Sequence, residues 1–194
     1  MSQFLIDSIR KYVSLSEDDI TLLDEVLTIR KIKKKQWIIT PGEVCKTEFF
    51  VNKGCFRSYF IDDNGHEHIT KFATEGWWIT DISSFYTGKP GHMYVEALED
   101  GEVIPLRKEV LDTLADKIPQ LNKYFKLVYQ KGLANSCDRL LRTISSSATE
   151  HYLRFIEEYT DIEKRVPQYM IASYLGITPE FLSKAKMKIS RTAS

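Results

Sequence analysis

Apolar residues recur at helical spacing at the start of the chain. Phe4, Leu5 and Ile9 share one face, and Ser16 stands where it can cap a second run holding Ile20, Leu23 and Leu27. From about Thr28 to Leu106 the pattern changes to short alternating or wholly apolar runs: TIRKI, WIIT, TEFFV, CFRSYFI, HITKFA, MYVEAL and EVIPL. Turn-forming separators divide them: PGE at 41–43, NKG at 52–54, DDNG at 62–65, EGW at 75–77, GKPG at 88–91 and EDG at 99–101. Strands at this regular spacing predict an antiparallel sandwich or jelly-roll barrel rather than parallel α/β units. Asp62-Asp63-Asn64-Gly65 is the clearest hairpin signal.

After Arg107 the pattern becomes helical. Lys108 to Ala115 predicts a short helix, and Pro119 suits the first turn of a longer one running towards Ile144. Leu121, Phe125, Val128, Gly132, Ser136, Leu140 and Thr143 recur along it, while Gly132, Ala134 and Ser136 are small enough for close backbone approach. A helix longer than one small barrel requires points to packing against a second copy of itself. Ala148 to Tyr159 predicts an amphipathic helix with Tyr152, Leu153 and Ile156 inward, followed by TDIEKRV as a short linker. The expected fold class is therefore α+β. Residues 1–117 form an N-terminal antiparallel β-barrel domain, 118–145 a long dimerisation helix, and 146–194 a C-terminal helical domain.

Within that last domain, Gln168 to Lys188 reads QYMIASYLGITPEFLSKAKMK, a pattern that fits a helix-turn-helix. The first helix needs a small residue where the second crosses it, and Ala172 supplies one between the apolar Ile171 and Leu175. The sharp turn needs a residue tolerant of positive φ, which Gly176 provides. Ile177 seals the turn, Thr178 can cap the second helix, and Pro179 sits where a missing N–H costs nothing. Leu182, Ala185 and Ile189 make an inward stripe. At 100° per residue Glu180, Ser183, Lys184, Met187 and Arg191 point the other way, with Phe181 and Lys188 on a flank. Such a face can enter a major groove, with Lys184, Lys188 and Arg191 meeting phosphates or guanine edges and Glu180 accepting from cytosine. The DNA-binding candidates are thus Thr178, Glu180, Phe181, Ser183, Lys184, Lys188 and Arg191.

Charge sharpens this picture. The chain of 194 residues is neutral overall, yet Lys164 to Ser194 carries net +5 and residues 1–163 net −5, a distribution that suits a polyanionic partner. With 43% hydrophobic and 28% charged residues the composition is that of a folded, water-soluble chain. No apolar run approaches the roughly 18 residues of a membrane span, and MSQFLIDSIRKY lacks a signal-peptide core, so a cytoplasmic location is expected. Cys45, Cys55 and Cys137 are too widely spaced for a disulfide framework or a metal cluster.

Taken together, these segments resemble the Crp/Fnr family of bacterial transcription regulators from about Ser16 to Ile189. The resemblance is carried by Pro41-Gly42-Glu43, FFVNKGCFRSYF at 49–60, DDNGHEHITKFATEGWW at 62–78, the long helix from Pro119, and VPQYMIASYLGITPE at 166–180. The wording of the last segment looks like the branch found in Bacteroidetes. The resemblance implies a cyclic-nucleotide-binding-like barrel, a homodimer, and a helix-turn-helix reading a palindromic operator in double-stranded DNA, with room for RNA polymerase and an unknown small-molecule effector as partners. In members that bind cyclic AMP, a Gly-Glu pair holds the ribose and a following Arg-Ser or Arg-Ala pair holds the phosphate. An ungapped reading from Gly76 puts Thr80-Asp81 and Gly91-His92 at those places, so the arginine is absent. Burying a phosphate charge without a bidentate guanidinium is unfavourable, and cyclic AMP binding in the family's manner is not expected. By the same alignment Thr80, Asp81, His92, Ser136 and Cys137 are the candidate ligand-binding residues. Glu180 matches a base-contacting glutamate of the family, whereas Lys184 stands where arginine is usual and Pro179 replaces a guanine-reading arginine. The preferred half-site should differ accordingly.

Two other function classes compete. His66-Glu67-His68 on a barrel invites a cupin-like metal enzyme, but that pattern wants a glutamate four or five residues further on, where this chain has Phe72 and Ala73. No Gly-rich phosphate loop, nucleophile elbow or paired-acid motif is present, so neither an enzyme nor a cofactor is expected. A non-DNA interaction module with a degenerate barrel is the second alternative.

Overall fold

The structure, a computed structural model, describes residues 3–145 and 147–192, the last three by backbone alone. The chain divides into two compact units. One comprises Met1–Ser58 with Phe72–Gly132, the other Tyr59–Lys71 with Leu133–Ser194.

The first unit opens with α1 (Gln3–Arg10) and α2 (Glu17–Val26). Ser16 starts α2 as expected, in a reciprocal capping box with Asp19. Eight strands follow: β1 (Arg30–Ile32), β2 (Trp37–Ile39), β3 (Thr47–Lys53), β4 (Phe56–Ile61), β5 (Glu67–Ala73), β6 (Trp78–Ile79), β7 (Tyr94–Ala97) and β8 (Gly101–Arg107). They form two four-stranded sheets, in the orders β1-β8-β3-β6 and β2-β7-β4-β5. The strands β4 and β5 run on into the second unit, which holds their connecting hairpin.

In the sheet β1-β8-β3-β6 the inner strand β3 is buried on both faces. Along β3 the four residues Glu48–Val51 are all buried, so the polar–apolar alternation of a half-exposed strand is missing there. Side chains still alternate. Phe49 and Val51 join Ile32, Phe56, Ile79, Val95 and Val103 in one cluster, whereas Phe50 joins Trp78 and Ile104 in another. The second cluster is completed by helices: Leu5 and Ile9 of α1, Leu111 and Leu114 of α4 (Lys108–Lys117), and Leu121, Tyr124 and Phe125 at the start of α5 (Gln120–Ser145). There the Trp78 indole N–H donates to the Tyr124 hydroxyl at 2.9 Å, so the buried polar tips satisfy one another. A buried ion pair, Arg57 with Glu96 at 2.7 Å, joins β4 to β7.

No expected strand or helix covers residues 82–87. Those residues form α3 (Ile82–Thr87), whose N-terminus is capped by Asp81 and which ends at Gly88 in the left-handed region at φ 68°.

The second unit contains the hairpin, the C-terminal half of α5, and α6 (Ala148–Glu158), α7 (Thr160–Arg165), α8 (Gln168–Leu175) and α9 (Pro179–Thr192). At the hairpin tip the Asp62 carboxylate accepts from the Asn64 and His66 amides and pairs with His68 at 2.8 Å. The Ser173 hydroxyl of α8 accepts from the Ile69 amide and donates to the Glu67 carbonyl, tying hairpin to helix. The expected linker TDIEKRV is instead largely helical. Ile162 and Val166 are buried, and burial of those two side chains outweighs the polar appearance of the segment. In α6 the fully buried residues are His151, Tyr152 and Phe155, whereas the expected Leu153 and Ile156 are only half-buried.

Candidate nucleic-acid interface

The turn between α8 and α9 is built as its residues require. Gly176 has φ 70°, the Ile177 amide reaches back to the Ala172 carbonyl at 3.0 Å, and the Gly176 amide reaches Ser173 at 3.1 Å. This pair of bonds is the Schellman closure, which only a residue tolerant of the left-handed region accepts without strain. Ile171, Ala172 and Leu175 of α8 are buried, and so are Leu182 and Ala185 of α9. Thr178 begins α9 by accepting from the Phe181 amide at 3.3 Å.

On the opposite side of α9, Glu180, Phe181, Ser183, Lys184, Met187 and Lys188 are exposed. Phe181 is 58% exposed and therefore does not bury itself against the preceding helix. The Lys184 ammonium lies 5.7 Å from its ring centre. Glu180 is held below the usual carboxylate range, first by the Thr178 hydroxyl, then by its own amide and by the charge of Lys184. Arg191 falls within α9, but its side chain lies outside the described residues. Lys186 belongs elsewhere: it pairs with Glu163 of α7 at 3.2 Å, and Tyr152 donates to the same carboxylate. Burial opposes the charge on Glu163, yet these hydrogen bonds outweigh it and lower its pKa.

The residues aligned with a ligand pocket have local roles. Asp81 is buried, and its carboxylate accepts from the amides of Ser84, His92 and Met93 at 3.0–3.3 Å. A Cβ at Gly91 would overlap the Asp81 Oδ2, so this close approach requires glycine there. The Thr80 hydroxyl donates to the Thr47 carbonyl at 3.0 Å. His92 is exposed. These three belong to the first unit. Ser136 and Cys137 lie on the C-terminal half of α5, in the second unit, and both are exposed.

That half of α5 also carries Leu133 at 67% exposure, Leu140 at 61%, Leu141 at 63% and Ile144 at 77%. Of these the periodicity above picked out only Leu140. Spacings of four, three and four through Leu133, Cys137, Leu140 and Ile144, the seam of a heptad, were the signal available.

His66 and His68 are both turned to Asp62, at 3.6 and 2.8 Å. Among the described residues no group of three or more histidine, cysteine, aspartate or glutamate side chains is placed to hold a metal, and no helix is long and apolar enough to cross a membrane.

Comparison with known proteins gives a consistent result. Residues 29–117 match the family model for the cyclic nucleotide-binding domain. The fumarate and nitrate reduction regulatory protein of Escherichia coli K12 is 26% identical over 185 residues, covering 88% of this chain and 72% of that protein. Among solved structures, FixK2 from Bradyrhizobium japonicum superposes with a TM-score of 0.74 at 21% identity, covering 87% of this chain and 86% of its own. The c-di-GMP responsive global regulator CLP of Xanthomonas campestris gives a TM-score of 0.74 at 14% identity, covering 92% and 93%. The relatives are transcription regulators rather than enzymes, which removes the cupin reading. With a region that matches the cyclic nucleotide-binding domain followed by a long helix and a C-terminal glycine-turned helix pair, the chain is similar in sequence and fold to regulators of the Crp/Fnr type.

Proposed function

We propose that the chain acts as a homodimeric DNA-binding regulator, with α9 of each subunit laid in a major groove of a palindromic operator. The observation that carries this reading is the two-sidedness of α9. Leu182 and Ala185 are buried, while Glu180, Phe181, Ser183, Lys184 and Lys188 are exposed, behind a turn that fixes its angle to α8. Thr178 sits at the helix start, where a hydroxyl can also reach a phosphate. Arg191 extends the cationic side by sequence. The exposed seam Leu133, Cys137, Leu140 and Ile144 supports pairing of two α5 helices.

For an effector, the family alignment nominates Thr80, Asp81, His92, Ser136 and Cys137, and RNA polymerase is the partner the family resemblance implies. Cyclic AMP in the family's manner is disfavoured. The residue at the arginine position is Gly91, held against a buried Asp81 whose carboxylate is already engaged by three amides. A phosphate there would meet a carboxylate instead of a guanidinium.

The test is selection of bound fragments from random duplex DNA by the purified chain. Enrichment of a palindrome, weaker in Lys184→Gln, is the expected result. Recovery of no enriched sequence, together with binding that ignores salt, would favour the interaction-module alternative.

A further inference from the structure

A cleft of about 340 Å³, counted out to its open mouth, lies wholly within the second unit, between the end of α5, one face of α6 and Tyr174 of α8. It is a shallow, solvent-open depression rather than an enclosed cavity. Three guanidiniums line it: Arg139 and Arg142, one turn apart on α5, and Arg154 on α6. A single carboxylate, Glu158, offsets them by pairing with Arg142 at 3.1 Å. The Arg139 guanidinium lies 4.8 Å from the centre of the Tyr174 ring, a contact that steadies its plane and leaves its N–H edge for a ligand.

The second observation is His151, three residues before Arg154 on the same face of α6. Its side chain also lines the cleft, the residue is 8% exposed, and its Nε2 has no hydrogen-bond partner. Buried side-chain nitrogens in native proteins are nearly always paired, so this one, in a residue that lines the cleft, lacks a partner that a ligand pressing into the cleft wall would supply. A water molecule would satisfy Nε2 but would leave the surplus of positive charge uncompensated. Tyr159 also lines the cleft, and burial, with Tyr174 beside it, pushes its phenol upwards, which keeps it a donor throughout the physiological range.

We propose that this cleft binds a small phosphate-bearing anion, with Arg139 and Arg154 gripping its oxygens and His151 donating through Nε2 from the cleft wall. Guanidinium forks match the spacing of phosphate oxygens, and a tetrahedral dianion can engage more than one of them at once. A phosphate in a DNA backbone offers the same chemistry, and the experiment separates the two sources. The site involves no residue of the exposed α9 face, so it stands apart from the DNA-binding reading.

The experiment uses the full chain, with inorganic phosphate and pyrophosphate titrated calorimetrically at constant ionic strength balanced by chloride. Saturable binding of one anion per subunit is expected, about tenfold weaker in Arg139→Gln and in Arg154→Gln. Arg154 is exposed, so its variant should fold normally. The His151 imidazole resonances, identified by their loss in His151→Gln, should shift on saturation. Absence of saturable binding at millimolar pyrophosphate, binding indifferent to both arginine substitutions, or unmoved His151 resonances would overturn the proposal. Loss of duplex affinity in the arginine variants of a chain that ignores pyrophosphate would also overturn it, and would assign the cluster to DNA phosphates.

Discussion

Asp62 sits at the tip of the β4–β5 hairpin, where the His68 hydrogen bond, followed by those from the His66 and Asn64 amides, lowers its pKa to about 2. Its folded value lies below the ordinary 3.8, so the contribution it makes to the hairpin is complete above that value and is lost as pH falls through about 2. A carboxyl-carbon NMR titration should therefore find Asp62 still ionised at pH 3. Two glycines make a different comparison at the same scale. A Cβ at Gly176 meets nothing within 4 Å, so Gly176→Ala should cost only the left-handed strain, about 1–2 kcal/mol. At Gly91 the backbone is not left-handed, but a Cβ would collide with Asp81. Gly91→Ala should lower the urea midpoint more than Gly176→Ala does, because it also disturbs a buried carboxylate and its three amide bonds.

Among elements, α5 has two characters. From Gln120 to Phe125 it buries Leu121, Tyr124 and Phe125 in the core, whereas beyond Gly132 its leucines and Ile144 are exposed. An apolar seam of that kind facing water is unfavourable unless a partner covers it. Leu140→Glu, which places like charges across a symmetric seam, should shift sedimentation from dimer to monomer without lowering helicity. A sedimentation coefficient that stays dimeric would remove α5 as the pairing element. For α9 the expected effects separate by face. Lys184→Gln should weaken DNA binding by about tenfold while leaving the melting temperature unchanged, whereas Leu182→Ala should lower stability by about 2–5 kcal/mol because it empties a fully buried position.

For the whole molecule, electrostatics make the discriminating prediction. A neutral chain with net +5 in its last 31 residues is poised to bind a polyanion through that end. If a dimer makes about six to ten phosphate contacts, affinity should fall about 10³–10⁵-fold between roughly 50 and 200 mM salt, as fluorescence anisotropy on duplex DNA would show. Millimolar cyclic AMP should leave the melting temperature where it was. A saturable rise would overturn the expectation, drawn from the alignment of Gly91 with the arginine position, that cyclic AMP is not bound.

Sequence alone sufficed wherever a residue's identity dictates local backbone geometry or a periodic face. Ser16, Asp62-Asp63-Asn64-Gly65, Gly176 and the stripe Leu182–Ala185 could be read directly, because caps, hairpin turns, left-handed turns and amphipathic faces depend on neighbours within a few positions. Tertiary structure decided what depends on distant partners. The helix at Thr160–Arg165 forms because Ile162 and Val166 find a core, and the double burial of β3 depends on α1, α4 and α5, none of them adjacent to it in sequence. The engagement of Asp81 by amides near Gly91, and the gathering of Arg139, His151 and Arg154 around one cleft, are likewise settled only when segments meet in space. Short-range pattern carries no information on which side chains those meetings leave unpaired.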